Sequence, residues 1–360
     1  MTNNTLTNSA AAAADNTTKD STAAWTQHVD DAPVALAAAG GLIAVAGAAG
    51  SAWILDARDG SPLGTVTLPG GLLAADFSPD GAHLALTGPT GHALWRRQDG
   101  RTLVFDTGAW SNAARWNGNR VTGAAAPEAR LAVAAGRRAL VMDADGEPLW
   151  QTDPCPSTVT DLRWLRSGRR LAVAAYGGVY CHERHAGAPV TEYRYLGSHL
   201  QMAVDPAEKW LCSGNQDASI HIWRVRDGAD LTMSGYPDKI ARLAFEDTGR
   251  YLASDGSPDI TLWDFSGKGP EGTRPKMLRA HETVTALAWR PGPDGVLASS
   301  GAEGLLAVWK AGSGRLGARQ RPTLAYEHDE PLTALAWSGR DLLVSTDRAG
   351  NIHARRYPAR

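Results

Sequence analysis

A short apolar alternation, usually closing on an aromatic residue, recurs through this chain and limits the folds open to it. The copies end at Ala38, Phe77, Trp116, Trp164, Val204, Phe245, Trp289 and Trp337. Their end points lie between 39 and 48 residues apart (38 to 77, 116 to 164). A period of that size marks a repeat architecture in which each unit is one supersecondary motif. Most copies run on into turn chemistry and a second apolar stretch, as in FSPDGAHLAL from Phe77 and WRPGPDGVLAS from Trp289. Proline fixes φ and glycine supplies positive φ, so these clusters mark tight reversals. A third stretch follows, closing on Trp223, Trp263 or Trp309 in the best-formed copies. Short β-branched and aromatic runs with period-2 alternation argue for an all-β chain.

One such unit is an antiparallel meander that cannot cover its own faces. Radial stacking buries those faces and protects the strand edges, which predicts a single closed β-propeller. Eight copies favour eight blades over the alternative of seven. The last copy contributes GNIHARRY, up to Tyr357, and lacks a fourth strand. AAWTQH at 23–28 precedes the first full copy and is expected to supply it, closing the ring. Residues 1–24 are rich in Asn, Thr, Ser and Ala and read as a disordered tail ahead of a propeller spanning 25–360.

The best copies, LCSGNQDASIHIWRV from Leu211, LASDGSPDITLWDF from Leu252 and LASSGAEGLLAVWK from Leu297, resemble the WD40 repeat family. Trp263–Asp264 is the literal WD pair. The resemblance implies a buried hydrogen-bonded tetrad of His, Ser/Thr, Asp and Trp in some blades. His281, Ser299 and Trp309 match it, with Glu303 where the family has Asp; the fifth copy offers Ser213, Asp217 and Trp223. On this likeness His281 is a blade staple and not a general base. MSGYPDKI (233–240) and WDFSGKGPEGTRP (263–275) are similar to a bacterial WD40 family whose members can be encoded beside CobW-type metallochaperone GTPases. That likeness implies a metal-linked accessory role as one alternative.

Other chemistry is less favoured by the residues. SGKGPEGT at 266–273 has neither the glycine-lysine order of a phosphate-binding loop nor a helix after it. Cys181, His182 and His185 lie close enough to invite a metal, but neighbouring strand residues face opposite sides. Three cysteines, an odd number, fit no disulfide framework and read as reduced thiols. The net charge of -2 argues against sequence-independent nucleic-acid binding. The start of the chain lacks a secretory pattern, and no run is apolar enough for a membrane span, so a cytoplasmic protein is expected.

The expected function is a non-catalytic scaffold, monomeric alone and needing no cofactor, that holds a protein or peptide on one propeller face. The face built from the d–a and b–c connections would present Ser198, His199, Asn215, Gln216, Tyr236, Lys239, Ser257 and Glu303. The opposite face would present the loop of Lys268, Arg274 and Lys276. The alternative is a propeller enzyme with its active site at the axial channel, which the small inner-strand residues disfavour.

Overall fold

The computed structural model describes residues 17–18, 23–119, 124–125, 128–256, 258–314 and 319–358. Most of the proposed 1–24 tail lies outside them. Within them Thr17–Thr18 pair in parallel with Ala325 and Tyr326. Ser257 also lies outside the described residues.

Eight antiparallel sheets of four core strands make eight blades, each running a, b, c, d from the axis outward. Blade 1 is Pro33–Ala39, Leu42–Gly47, Ser51–Asp56 and Pro62–Thr67. Blade 2 is Ala74–Phe77, His83–Thr87, Gly91–Arg96 and Thr102–Asp106. Blade 3 is Ala114–Trp116, Arg130–Ala135, Arg138–Asp143 and Pro148–Gln151. Blade 4 is Asp161–Leu165, Arg170–Ala175, Gly178–Glu183 and Thr191–Arg194. Blade 5 is His199–Val204, Trp210–Asn215, Ile220–Arg224 and Asp230–Met233. Blade 6 is Leu243–Phe245, Tyr251–Ser254, Asp259–Asp264 and Lys276–Arg279. Blade 7 is Val284–Trp289, Val296–Gly301, Leu305–Lys310 and Leu324–Glu327. Blade 8 takes Leu332–Ser338, Leu342–Asp347 and Asn351–Arg356 from the end of the chain and Ala23–His28 from its beginning. Among the described residues the one helix is a single 3-10 turn at Arg166–Gly168.

The closing strand pairs antiparallel with the last, Thr26 opposite His353 and His28 opposite Asn351. Trp25 anchors it. Its ring packs with Val29, Ile43, Val45, Leu342 and Val344, and its Nε1 donates to the Ala57 carbonyl at 3.1 Å. The core is therefore a ring of inter-blade layers, and the b strands inside it are buried along their whole length in blades 1, 5, 7 and 8.

Contacts between successive a strands form the inner ring. The tryptophans ending the repeat do more there than pack. Trp164, Trp289 and Trp337 each donate Nε1 to the preceding blade's a strand, at Arg115 O (2.8 Å), Ala244 O (2.9 Å) and Ala288 O (3.1 Å). Blades 2 to 6 add side-chain latches in the other direction. Asp76 accepts from Trp116 N, Asp161 from Met202 N and Gln201 from Leu243 N, while Arg242 donates to Thr285 O. Blade contact is also close at the turns. A Cβ on Gly40 would sit 2.3 Å from the Asp80 carbonyl in blade 2.

Trp25→Ala should cost about 3–5 kcal/mol, the usual loss for a large buried aromatic, and denaturant unfolding measures it. A loss below about 1 kcal/mol would show that ring closure does not depend on this side chain. A second outcome concerns pH. His92 stacks on Phe105, neither ring nitrogen hydrogen-bonds to a described residue, and burial pushes its pKa down from 6.5 to about 4. The unfolded chain binds this proton near pH 6.5 and the folded chain refuses it until about pH 4. Its contribution to stability is thus present above pH 6.5 and lost as pH falls toward 4. His92→Phe, which keeps the stack, should flatten that slope in urea unfolding; an unchanged slope would place the proton uptake elsewhere.

Candidate functional site

The d–a and b–c connections share one face, and their side chains divide into two sets. One set turns inward and staples the blades. In blade 7, His281 pairs with Glu303 Oε1 through Nδ1 (2.6 Å) and with Ser299 Oγ through Nε2 (2.7 Å). Trp309 Nε1 donates to the same Ser299 oxygen at 2.8 Å. His281 and Ser299 are buried, so these groups need one another.

Blade 5 builds a different version. His199, not a residue of the LCSGNQD stretch, takes the histidine position, with Nδ1 2.9 Å from Ser213 Oγ and Nε2 3.1 Å from the Tyr195 carbonyl. Ser213 donates to Asn215 Oδ1, and Asn215 Nδ2 donates to Ser219 Oγ. Ser219 in turn donates to Asp217 Oδ1 at 2.6 Å. Trp223 meets this chain through ring contacts with His199 and His221. Burial holds the His199 pKa below its ordinary value. The expectation that His199 and Asn215 meet a partner is overturned, because both are fully buried and hydrogen-bonded internally.

In blade 6 tyrosine replaces histidine. Tyr236 OH accepts from Trp263 Nε1 at 2.8 Å and lies 3.0 Å from Thr261 Oγ1. The ring packs on the core between blades 5 and 6. Tyr236 is half-buried and its polar tip is spent inside, so it is a staple and not a free anchor. The sequence carried a signal for this: Tyr236 stands 27 residues before Trp263, close to the 28 that separate His281 from Trp309.

The second set faces outward. Trp110, Tyr176 and Leu196 are 47%, 45% and 80% exposed. They lie in the d–a connection of blades 2 and 3, the b–c turn of blade 4 and the d–a connection of blades 4 and 5. Gln216 and Lys239 are exposed on the same face, and Ser198 is half-buried. Between blades 7 and 8 this face opens into a cavity of about 510 Å³. Glu303, Glu327, Asp329, Glu330 and Asp347 line it, with His328, His353 and Asn351, and no lysine or arginine does. Charge counting along the sequence missed it, because the five carboxylates come from three separate stretches, at 303, 327–330 and 347. Lys268 and Arg274 are exposed on the opposite face, whereas Lys276 is buried, its Nζ donating to the Ala311 and Ser313 carbonyls at 2.7 and 2.9 Å.

Cys181 and His182 do not converge on a metal. Cys181 is buried against Leu211 and Met202 of blade 5, and burial pushes its thiol up to about 12. His182 is buried on the other side of its strand, and His185 lies beyond it, accepting from Arg184 Nε. Among the described residues no three His, Cys, Asp or Glu side chains are grouped to hold a metal ion. All three cysteines are free and buried. No helix of the described residues is long and apolar enough to cross a membrane.

Tyr236→Phe removes one hydroxyl and leaves the Trp263 indole N–H without its acceptor. The expected loss is about 1–3 kcal/mol, and Ser299→Ala in blade 7 should lose a similar amount by denaturant unfolding. No loss in either variant would remove the staple role.

Residues 192–224, covering the a, b and c strands of blade 5, match the family model "WD domain, G-beta repeat". The nuclear distribution protein PAC1 of Arthroderma benhamiae is 36% identical over 151 residues, 38% of this chain and 32% of that protein. PAC1-1 of Uncinocarpus reesii is 30% identical over 174 residues, 43% of this chain and 38% of that protein. The chain thus matches about a third of the length of these relatives. They lend no support to an association with CobW-type GTPases. The crystal structure of the computationally designed Ika8 protein superposes with a TM-score of 0.74 at 19% identity, covering 93% of this chain and 100% of that one, which is a likeness of fold. The described residues accordingly form an eight-bladed β-propeller whose segment 192–224 is similar to the WD repeat.

Proposed function

We propose that the chain is a non-catalytic scaffold that binds a protein or peptide on its d–a/b–c face. The observation that carries this reading is the exposure of Trp110, Tyr176 and Leu196 on one rigid surface. Large apolar side chains held in water cost free energy unless something covers them, and tryptophan and tyrosine dominate the energetics of protein contacts. Gln216 and Lys239 supply polar groups at the border. The acid-lined cavity beyond them suits a lysine or arginine side chain of the same partner. Relatives with the names of nuclear distribution proteins are in keeping with a scaffold, though the match covers only part of their length.

The axial alternative has less behind it. Asp76, Arg115, Asp161, Gln201 and Arg242 stand on inner strands, but each is engaged in a bond from one blade to the next. The remaining inner positions include Ala35, Ala37, Ala286, Ala288, Ala334 and Ala336. That set offers no nucleophile with an adjacent base.

Affinity capture from the native cell, read by mass spectrometry, tests the face. The Trp110→Ala/Leu196→Ser pair should lose the captured partner while the melting temperature stays within a few degrees, since both residues are exposed. Leu63→Ser/Val104→Ser, two exposed outer-strand positions, should keep it. Equal capture by the face variant would sink the assignment.

A further inference from the structure

We propose that the seam between blades 4 and 5, on the a–b/c–d face, is a binding site for a phosphate-type oxyanion. It is independent of the partner face and lies on the other side of the disc. A cavity of about 480 Å³ opens there between the outer strand of blade 4 and the c–d connection of blade 5. Its buried floor includes Tyr193 and Trp223, and Tyr193 OH closes the seam by donating to Val225 O at 2.9 Å. Arg166, Arg170, Arg194 and Arg226 line its walls.

The geometry fixes one of these guanidinium groups and leaves three adjustable. Arg170 is mostly buried and donates twice to Glu183 Oε1, at 2.9 and 2.6 Å. The Arg166 backbone is locked, with φ at 50° and its N–H between both Glu208 oxygens at 2.7 and 2.8 Å. Its side chain is 60% exposed and reaches Glu183 at only 3.5 Å. Arg194 and Arg226 are 81% and 84% exposed. Exposed ion pairs such as Arg194–Glu192 contribute little, so these forks turn to a better acceptor at small cost.

The carboxylates of the site are largely spoken for. Arg224 Nε holds Asp227 at 2.7 Å and lowers its pKa to about 2, leaving Arg226 a long 3.4 Å contact. His221 Nε2 lies 2.9 Å from Asp230. Among the residues that line the cavity, the four arginines face three carboxylates, Glu192, Asp227 and Asp230, an excess of one positive charge. Guanidinium forks recognise planar or tetrahedral oxyanions bidentately. The volume exceeds that of a bare phosphate, so the group can arrive free or on a phosphorylated side chain.

Isothermal titration of the full chain with inorganic phosphate, at constant ionic strength against chloride, is the test. Binding is expected, weakened roughly tenfold or more by Arg194→Glu/Arg226→Glu. Glu192→Gln, which removes a competing carboxylate, should tighten it. Arg58→Glu, an exposed charge change on blade 1, should leave it unaltered. A phosphoserine peptide and its unphosphorylated twin form the second arm. Peptide binding that needs the phosphate and the two arginines assigns a phosphoprotein source; phosphate binding alone assigns a free anion. No phosphate binding, or binding indifferent to Arg194 and Arg226, overturns the site.

Discussion

The whole architecture depends on pairing a strand from the start of the chain with three from its end. A stack of meanders left open would end in an unpaired edge at Asn351–Arg356, a template for association with other chains. Ala23–His28 covers that edge and brings Trp25 into a hydrophobic layer shared by blades 1 and 8. The side-chain contact between His28 and Asn351 spans 323 residues, and contacts of that separation form only after the intervening loop entropy is met. Among the described residues the four core strands of the other seven blades pair locally, so closure, with the short pairing of Thr17–Thr18 on Ala325 and Tyr326, carries the non-local demand of this topology.

Once the ring is closed, each seam must satisfy polar groups where strands converge. The blades meet that requirement with different residues in the same positions. Trp164, Trp289 and Trp337 reach back to the preceding blade, whereas Asp161 and Gln201 reach forward to a backbone N–H. The d–a staple varies likewise: His199, Tyr236 and His281 occupy matching places and find Ser213, Thr261 and Ser299. What is constant is a ring bearing a polar atom that can reach a buried hydroxyl, because an unpaired group there costs more than the bond contributes. Strict identity is unnecessary, which is why only one of these blades carries a literal Trp–Asp pair.

This tolerance explains how far the sequence could be read. The period, the turn clusters and the missing fourth strand of the last copy lead to eight blades and to Ala23–His28 as the closing strand, because backbone pairing depends on pattern more than on identity. The site resisted the same reading. His199 and Asn215 stand at strand ends and Tyr236 in a connection, places where polar residues are ordinarily solvated, and strand alternation alone does not tell an inward rotamer from an outward one. Of the exposed set, Trp110 and Tyr176 lie in the less regular copies, whereas Leu196 lies in the connection into blade 5, where an apolar residue between two strands reads as part of the repeat. The acidic cavity needs residues from 303 to 353 to be brought together, which only the ring accomplishes.

A net charge of -2 over 360 residues looks uninformative until the fold sorts the charges. Carboxylates gather between blades 7 and 8 on one face, and arginines between blades 4 and 5 on the other. Each cluster is anchored by the backbone of a rigid seam, which keeps its charges near one another even where side chains such as Arg194 and Arg226 can turn. Charge held in that way favours a ligand of opposite sign in each place while the molecule as a whole stays near neutral. The propeller therefore separates by geometry two electrostatic environments that the linear chain intermixes. A basic group on the first face and an anionic group on the second could be held at once, because no side chain lines both cavities.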